Sequence, residues 1–294
     1  MCRNNENYIS LLAQQTNHNF YILPQHPWND LIDHRPTNLY TLDRFSEPLD
    51  YLICYDNAEQ YDEAQQLSNQ FHIPIILIEF CCQAMIRQQN ILEVLNPRDP
   101  ILYQRNPALR VCNTSYILNS WPDNGLSITI PIGVDTNKFN KSNDIDNHNM
   151  VCLDNNTTPQ VGAAIAQQLG PSYQTIPTDH QNLDDISVNK SRYFVNTNKT
   201  ITTKTLQAMA AKNVVICLST EDTEQFIKHN ETGILIKDLS ELGPTVQTLD
   251  ESHDLRDHIT TQARNKIVTD HSIEQFAAQW SLAFEMVRSI FYTL

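Results

Sequence analysis

Hydroxyl and amino groups cluster in one short loop of the sequence, and together they suit an anion. The loop precedes a predicted helix, TTKTLQAMAAK, whose first amides favour a negatively charged group. We therefore expect phosphate binding at this loop, with hydroxyl donors from its threonines and positive charge from its lysines. The alternative is that Thr202 or Thr203 only caps the helix and that the lysines are solvated. The candidate residues are Asn196, Lys199, Thr200, Ile201, Thr202, Thr203 and Lys204.

Two carboxylates lie where predicted elements meet loops. Glu79 ends the apolar run IPIILIE, and side chains that follow buried parallel strands reach the edge of the sheet where ligands bind. Glu79 is therefore a candidate general base. The alternative is a structural residue that caps a neighbouring helix. Glu224 opens a later predicted helix and is either a ligand contact or a helix cap or salt-bridge partner.

Short apolar runs alternate with helical patterns along the chain. The runs at 51–55 and 73–80 are continuous, which is typical of strands buried on both faces of a parallel sheet. The strand–helix–strand order predicts a doubly wound α/β fold. The polar stretch 140–149 indicates a linker, after which the alternation restarts. We predict two Rossmann-like domains with a cleft between them, over 1–143 and 144–294, and the last helices can pack back on the first domain.

The bulk composition narrows the class of partner. The formal net charge is −14 and the isoelectric point is near 5.0, so the surface repels nucleic acid and anionic membranes at long range. We see no strong nucleic-acid signal, no apolar signal-peptide region at the start, and no run long enough to cross a bilayer. We therefore expect a cytoplasmic protein with a small-molecule or glycan partner.

The cysteines give no catalytic motif by themselves. There are seven, and no C-x-x-C pair occurs, so we expect buried, reduced thiols. The adjacent pair Cys81-Cys82 as a redox or nucleophilic site is the alternative. No H-E-x-x-H, D-x-D, G-x-S-x-G or P-loop occurs, and we predict no metal site.

The order of several degenerate motifs indicates a family. LQAMA (206–210), NVVI (213–216) and TGILI (232–236) follow one another with family-like spacing. Earlier, IPIGVD (130–135) precedes a Lys-Phe pair, and the chain closes with RNKIVTDHSIEQFAAQW (264–280). The sequence resembles GT-B fold glycosyltransferases of the group-1 (family-4-like) kind over most of its length. The resemblance implies an acceptor-type first domain and a nucleotide-sugar-binding second domain.

The sequence departs from this family at the residues that matter most. Lys199 and Gln207 stand where the family has two carboxylates, and Thr200-Ile201-Thr202 replaces its glycine-rich turn. The family's Arg and Lys for the donor diphosphate have no clear match. Gln207 keeps an acceptor oxygen for ribose hydroxyls but loses the charge, and a surface glutamine is the alternative. Lys199 could stabilise the phosphate leaving group.

The resemblance implies transfer of a hexose-type sugar from a nucleotide-diphosphate donor, with retention and without a metal or other cofactor. The acceptor is unknown: a glycan, a protein or a lipid-linked molecule. Asn5 and Glu6, where similar proteins have His-Glu, and Gly133 are the further acceptor-side candidates. One alternative is a catalytically inactive GT-B protein that binds a glycan, a nucleotide or a partner. A weaker one is a non-transferring relative such as a sugar-nucleotide epimerase.

Overall fold

The helices and strands follow one another in α/β order. This computed structural model describes residues 5–22, 37–41, 49–55, 58–79, 106–121, 125–140, 149–154, 157–177 and 186–293. The elements are α1 (Asn5–Gln15), β1 (Phe20–Ile22), β2 (Leu39–Thr41), β3 (Leu52–Tyr55), α2 (Ala58–Phe71), β4 (Ile75–Glu79), β5 (Leu109–Cys112), α3 (Ser115–Ser120), β6 (Ser127–Thr129), β7 (Met150–Leu153), α4 (Pro159–Leu169), β8 (Gln174–Pro177), a 3-10 helix (Ile186–Lys190), β9 (Tyr193–Asn196), α5 (Thr203–Ala210), β10 (Val214–Leu218), α6 (Glu221–Phe226), β11 (Ile234–Ile236), a second 3-10 helix (Leu239–Glu241), α7 (Leu242–Glu251), α8 (His253–Asp270) and α9 (Ile273–Thr293).

The chain divides into two compact units. Unit 1 comprises Met1–Ile132 together with Phe276–Leu294, and unit 2 comprises Gly133–Gln275. The domain ranges predicted from the sequence stay a prediction. Cys81-Cys82 and most of the predicted linker 140–149 lie outside the described residues.

Unit 1 contains a parallel sheet with strand order β3-β4-β5-β6, and β1 pairs in parallel with β2. All five residues of β4 are buried. Successive side chains of a strand point to opposite faces. Ile76 and Ile78 accordingly pack in one apolar cluster with α1 and α9, while Ile75 and Leu77 pack in another with α2. The continuous apolar run is thus explained by helices on both faces of the sheet.

Tyr8 and Trp280 lie at the centre of the unit 1 core. Both are fully buried, and the indole Nε1 of Trp280 donates a hydrogen bond of 3.0 Å to the Tyr8 hydroxyl. Phe276 packs edge-to-face on Tyr8, with ring centroids 5.2 Å apart. The aromatic residues of α9 therefore complete the core that α1 begins.

Unit 2 contains a five-stranded parallel sheet in the order β11-β10-β9-β7-β8. The chain runs from β7 outward to β8 and then returns to β9 on the other side of β7. Strand order reverses at this point, and such a topological switch opens a crevice at the carboxyl ends of the two strands. The prediction of an α/β fold with two parallel sheets is confirmed.

Helix α5 is buried along nearly its full length in unit 2. Residues 204–210 are all buried, although Lys204, Thr205 and Gln207 are polar. At its carboxyl end, Arg264 of α8 donates to the carbonyl of Ala210 and also to the carbonyls of Phe139 and Thr136, at 2.9 and 3.1 Å. Helix α8 thereby holds α5 and the first segment of unit 2 in one arrangement.

Candidate functional site

The loop that joins β9 to α5 lies at the switch point of the unit 2 sheet. Strands β7 and β9 are paired, with Leu153 opposite Val195. The residue that follows β7 therefore still contacts β9: the backbone amide of Asp154 donates to the Val195 carbonyl at 3.0 Å. The predicted anion loop, 196–203, begins at this point. Sheet topology thus brings the predicted loop to the place where ligands bind in open α/β sheets.

Asp154 is a buried carboxylate that accepts hydrogen bonds from the loop. Its Oδ1 accepts a hydrogen bond of 2.6 Å from the Asn198 side-chain amide, and its Oδ2 accepts one of 2.5 Å from the Thr202 hydroxyl. The residue is only 1% exposed. Short hydrogen bonds to a carboxylate are strong, so Asp154 holds the loop at two positions, Asn198 and Thr202.

Asn196 supports the same loop from inside. Its Oδ1 accepts from the Asn198 backbone amide at 2.7 Å, and its Nδ2 donates to the Thr200 carbonyl at 3.0 Å and the Thr205 hydroxyl at 3.2 Å. The side chain is fully buried. Asn196, predicted as a ligand contact, is therefore a structural centre of the loop in this structure.

The amino end of α5 is capped by a pair of threonines. The Thr202 hydroxyl accepts from the Thr205 amide at 3.2 Å, and the Thr205 side chain bonds back to the Thr202 amide at 3.4 Å, which makes a capping box. The alternative interpretation from the sequence, that Thr202 caps the helix, is therefore confirmed. The preceding residue, Ile201, donates its amide at 2.8 Å to the carboxylate of Asp222.

Helix α6 supports the loop from the other side. Thr220 forms a second capping box with Thr223 and donates its hydroxyl to the Lys199 carbonyl at 2.8 Å. Burial raises the pKa of Asp222, and the hydrogen bond from the Ile201 amide opposes that rise. The loop is therefore held by carboxylates on two sides, from Asp154 and from Asp222.

Gln207 occupies the second turn of α5 and is only 4% exposed. Its Oε1 is buried and has no hydrogen-bond partner among the described residues. A buried acceptor without a partner costs roughly 1–3 kcal/mol, so such an atom needs an explanation. The interpretation of Gln207 as an ordinary surface glutamine is wrong.

The other predicted residues of unit 2 differ in exposure. Lys204 is buried, Thr200, Ile201 and Thr203 are half-buried, and Lys199 is exposed. Glu224 is exposed and accepts a hydrogen bond from the Ser219 hydroxyl. Gly133 is buried.

Glu79 lies in unit 1 at the carboxyl end of β4, as predicted. It is fully buried and forms an ion pair with Arg110 of β5, with Oε1 and Nε 3.7 Å apart. The Arg110 guanidinium lies over the Trp121 ring at 5.2 Å. Burial, followed by the charge of Glu79, raises the pKa of the Cys112 thiol to about 12. Asn5 and Glu6 belong to α1, and their side chains lie outside what the structure describes.

Asp154 and Asp222 are the residues that the sequence analysis missed. Asp154 directly follows the apolar strand MVCL, the same signal that selected Glu79. Asp222 lies two residues before Glu224, and the burial pattern of α6 separates the two acids: Asp222 is 7% exposed and Glu224 is exposed. A rule based on strand ends could have found Asp154.

Comparison with known proteins agrees with the fold. Residues 182–281 match the family described as glycosyl transferase-like. No curated protein matches the sequence.

Several solved structures share the fold. Anabaena HepE, crystallised with UDP and glucose, superposes with a TM-score of 0.74 at 12% identity, over 95% of each chain. Sucrose-phosphate synthase of Thermosynechococcus elongatus gives 0.65 at 14% identity, over 82% of this chain and 74% of that one. A glycosyltransferase of Rickettsia africae gives 0.64 at 9% identity, over 98% and 96%. The chain has the GT-B fold, and the predicted resemblance to group-1 glycosyltransferases is confirmed.

The described residues contain neither a three-ligand metal cluster nor a membrane-spanning helix. No group of three or more His, Cys, Asp or Glu side chains there could hold a metal ion. None of the helices that the structure describes is long and apolar enough to cross a bilayer.

Proposed function

We propose that this protein binds a nucleotide-diphosphate sugar at the loop 196–203 and α5, and transfers the sugar to an acceptor hydroxyl. The donor diphosphate would lie against the amino end of α5, where the helix dipole favours an anion. Lys199 and Lys204 add positive charge on the same segment. From the family resemblance alone, we further propose that the transferred sugar is a hexose, that its configuration is retained and that no metal is needed.

The observation that carries this proposal is the buried Oε1 of Gln207. It lacks a partner among the described residues, and it stands where the resemblance puts the ribose-binding carboxylate. A ribose hydroxyl would donate to this oxygen and remove the cost of an unpaired acceptor. Gln207 is one helical turn from Thr203, so a nucleotide whose diphosphate meets the first turn reaches it with its ribose.

The bound ligands of a structural relative support the choice of donor. HepE has been crystallised with UDP and glucose and with UDP alone. We therefore propose a uridine diphosphate sugar as the first donor to test.

The proposed reaction exchanges one bond at the anomeric carbon of the sugar. The bond from that carbon to the diphosphate oxygen breaks, and its electron pair leaves with the diphosphate. The acceptor oxygen bonds to the carbon and loses its proton. We propose that Lys199 stabilises the leaving diphosphate and that Glu79 is the acceptor-side base. Thr200, Ile201, Thr202, Thr203 and Glu224 complete the proposed donor contacts, and Asn5, Glu6 and Gly133 the acceptor side.

Calorimetry with UDP tests the donor site. Gln207→Ala removes the acceptor and should weaken UDP binding about tenfold, because one buried hydrogen bond is worth about 1–1.5 kcal/mol. Gln207→Glu keeps an acceptor oxygen at this position and should bind UDP about as well as the wild type. Gln167→Ala, at an exposed position of α4, is the matched control and should change nothing. Equal affinity of Gln207→Ala and wild type would rule out ribose contact at this residue.

Turnover is tested separately with radiolabelled UDP-glucose and water or a panel of acceptors. Lys199→Ala should lower kcat with little change in UDP-glucose affinity, because the charge that Lys199 is proposed to stabilise develops only as the bond to the diphosphate breaks. Thr202→Ala should lower both, since it removes the cap of α5. Unchanged turnover in both variants would show that the reaction does not use this loop.

A binding module without catalysis is the second candidate. The observation that favours it is the replacement of both motif carboxylates by Lys199 and Gln207. A binding module of this kind should bind UDP-glucose in a way that depends on Gln207, with no release of glucose or UDP over hours. Measurable transfer or hydrolysis that Lys199→Ala abolishes would exclude it.

A further inference from the structure

Asp154 places a carboxylate beside the amino end of α5, where the proposed function needs a phosphate. Its Oδ2 lies 2.5 Å from the hydroxyl of Thr202, which is the residue that caps α5. The residue is 1% exposed, so water screens its charge little. A helix amino end attracts negative charge of any origin, and here the protein supplies one of its own.

The same carboxylate also accepts hydrogen bonds from groups that could otherwise donate to a phosphate. The Thr202 hydroxyl gives its single proton to Asp154, and its oxygen accepts from the Thr205 amide. The side-chain amide of Asn198 donates to the other oxygen of Asp154 at 2.6 Å. The Thr202 hydroxyl, which the sequence predicts as a phosphate donor, must therefore leave Asp154 before it can donate to a phosphate.

We propose that Asp154 is an internal anion that competes with the phosphates of the ligand, so that it sets the affinity of the site according to ligand charge. This inference rests on the proposed function, since it concerns the same loop. Asp154 acts as a specificity-determining residue: it disfavours highly charged ligands and leaves the recognition of the nucleoside unchanged. A purely structural Asp154 would instead be needed to hold the loop for every ligand.

The substitution Asp154→Asn separates these two roles. It keeps the size of the side chain and one of its two acceptor oxygens, replaces the other with an amide donor, and removes the charge. Loss of one buried negative charge a few ångströms from a diphosphate should tighten binding of UDP and of inorganic pyrophosphate about tenfold. Uridine carries no phosphate, so its affinity should not change.

The matched control is Asp135→Asn. It changes the net charge by the same amount within unit 2, and Asp135 accepts hydrogen bonds of 3.0 Å from the amides of Asn137 and Lys138. Asp135→Asn should leave all three affinities unchanged. Asp154→Ser is the second neutral variant, for use if Asp154→Asn does not fold, and the same tightening is expected for it.

Calorimetry of wild type and variants with uridine, UDP and pyrophosphate decides the matter. Tighter binding of the two charged ligands alone, or binding that occurs only in the neutral variants, supports the inference. Weaker or equal UDP binding in a folded neutral variant overturns it and leaves the proposed function in place when wild type binds UDP. If no form binds UDP or pyrophosphate, both the inference and the proposed function are wrong.

Discussion

Arg264 offers a direct test of how unit 2 holds α5 in place. Its guanidinium donates to three main-chain carbonyls, those of Thr136, Phe139 and Ala210. The Ala210 carbonyl ends α5, so Arg264 also places a positive charge at the carboxyl end of that helix, where the helix dipole favours it. Replacement by methionine keeps much of the aliphatic volume and removes every one of these hydrogen bonds.

The size of the effect follows from this geometry. Hydrogen bonds to a charged donor contribute about 1.5–3 kcal/mol each, and three of them set an upper range of about 5–9 kcal/mol. Burial lowers the pKa of Arg264, which shows that desolvation of its charge offsets part of the gain. We therefore expect Arg264→Met to lower the free energy of unfolding of unit 2 by about 3–5 kcal/mol. Arg264→Lys keeps the charge but not the planar guanidinium, so its free energy of unfolding should lie between those of the wild type and Arg264→Met.

Urea unfolding followed by circular dichroism measures the stability, and amide hydrogen exchange locates the change. Exchange in Arg264→Met should accelerate first at 133–140 and at the end of α5. Lys228→Met is the control, because the Lys228 side chain is 72% exposed and pairs with exposed Glu231. Its effect should stay below about 0.5 kcal/mol. A loss under about 1 kcal/mol in Arg264→Met would refute the argument that these three bonds hold the segment.

Three further substitutions test other parts of the structure. Asp250 accepts hydrogen bonds from two tyrosine hydroxyls and an arginine; burial raises its pKa, but these donors together lower it. Its stabilisation is thus complete above the unfolded pKa of about 3.9 and is lost as pH falls through the lower folded value. Asp250→Asn should reduce urea stability by about 1–3 kcal/mol at pH 7, with a smaller difference at pH 3, and an equal difference at both would contradict this. Gly243→Ala should lower the melting temperature by the equivalent of about 1–3 kcal/mol, since an added Cβ would lie 2.6 Å from the Gln168 carbonyl oxygen; a higher melting temperature would contradict the close packing. Trp280→Phe should cost unit 1 about 2 kcal/mol because the Tyr8 hydroxyl loses its donor, and an unchanged urea midpoint would contradict that.

The sheets were predictable because their strands are continuous apolar runs. The run at 73–80 indicated a strand buried on both faces, and β4 is buried at every residue. The order of strands was not predictable from the same signal, because burial does not encode which strand lies next to which. The switch between β7 and β9, next to the candidate site, therefore emerges only from the structure.

Helix α5 shows a second kind of limit. Its polar residues Lys204, Thr205 and Gln207 suggest an exposed face, yet all three are buried. Tertiary packing against α8 and the hydrogen bonds of the loop override the local pattern.

Asp154 shows a third kind of limit. A single acidic residue after a strand gives no sign of its hydrogen-bond partners, which lie 44 and 48 residues further along the chain.

A crystal structure of this protein with UDP tests the central claim most directly. We expect the diphosphate within hydrogen-bond distance of the amides at the start of α5, and a ribose hydroxyl donating to Oε1 of Gln207. UDP bound at another edge of the sheet, or bound here with Gln207 still without a partner, would contradict the account.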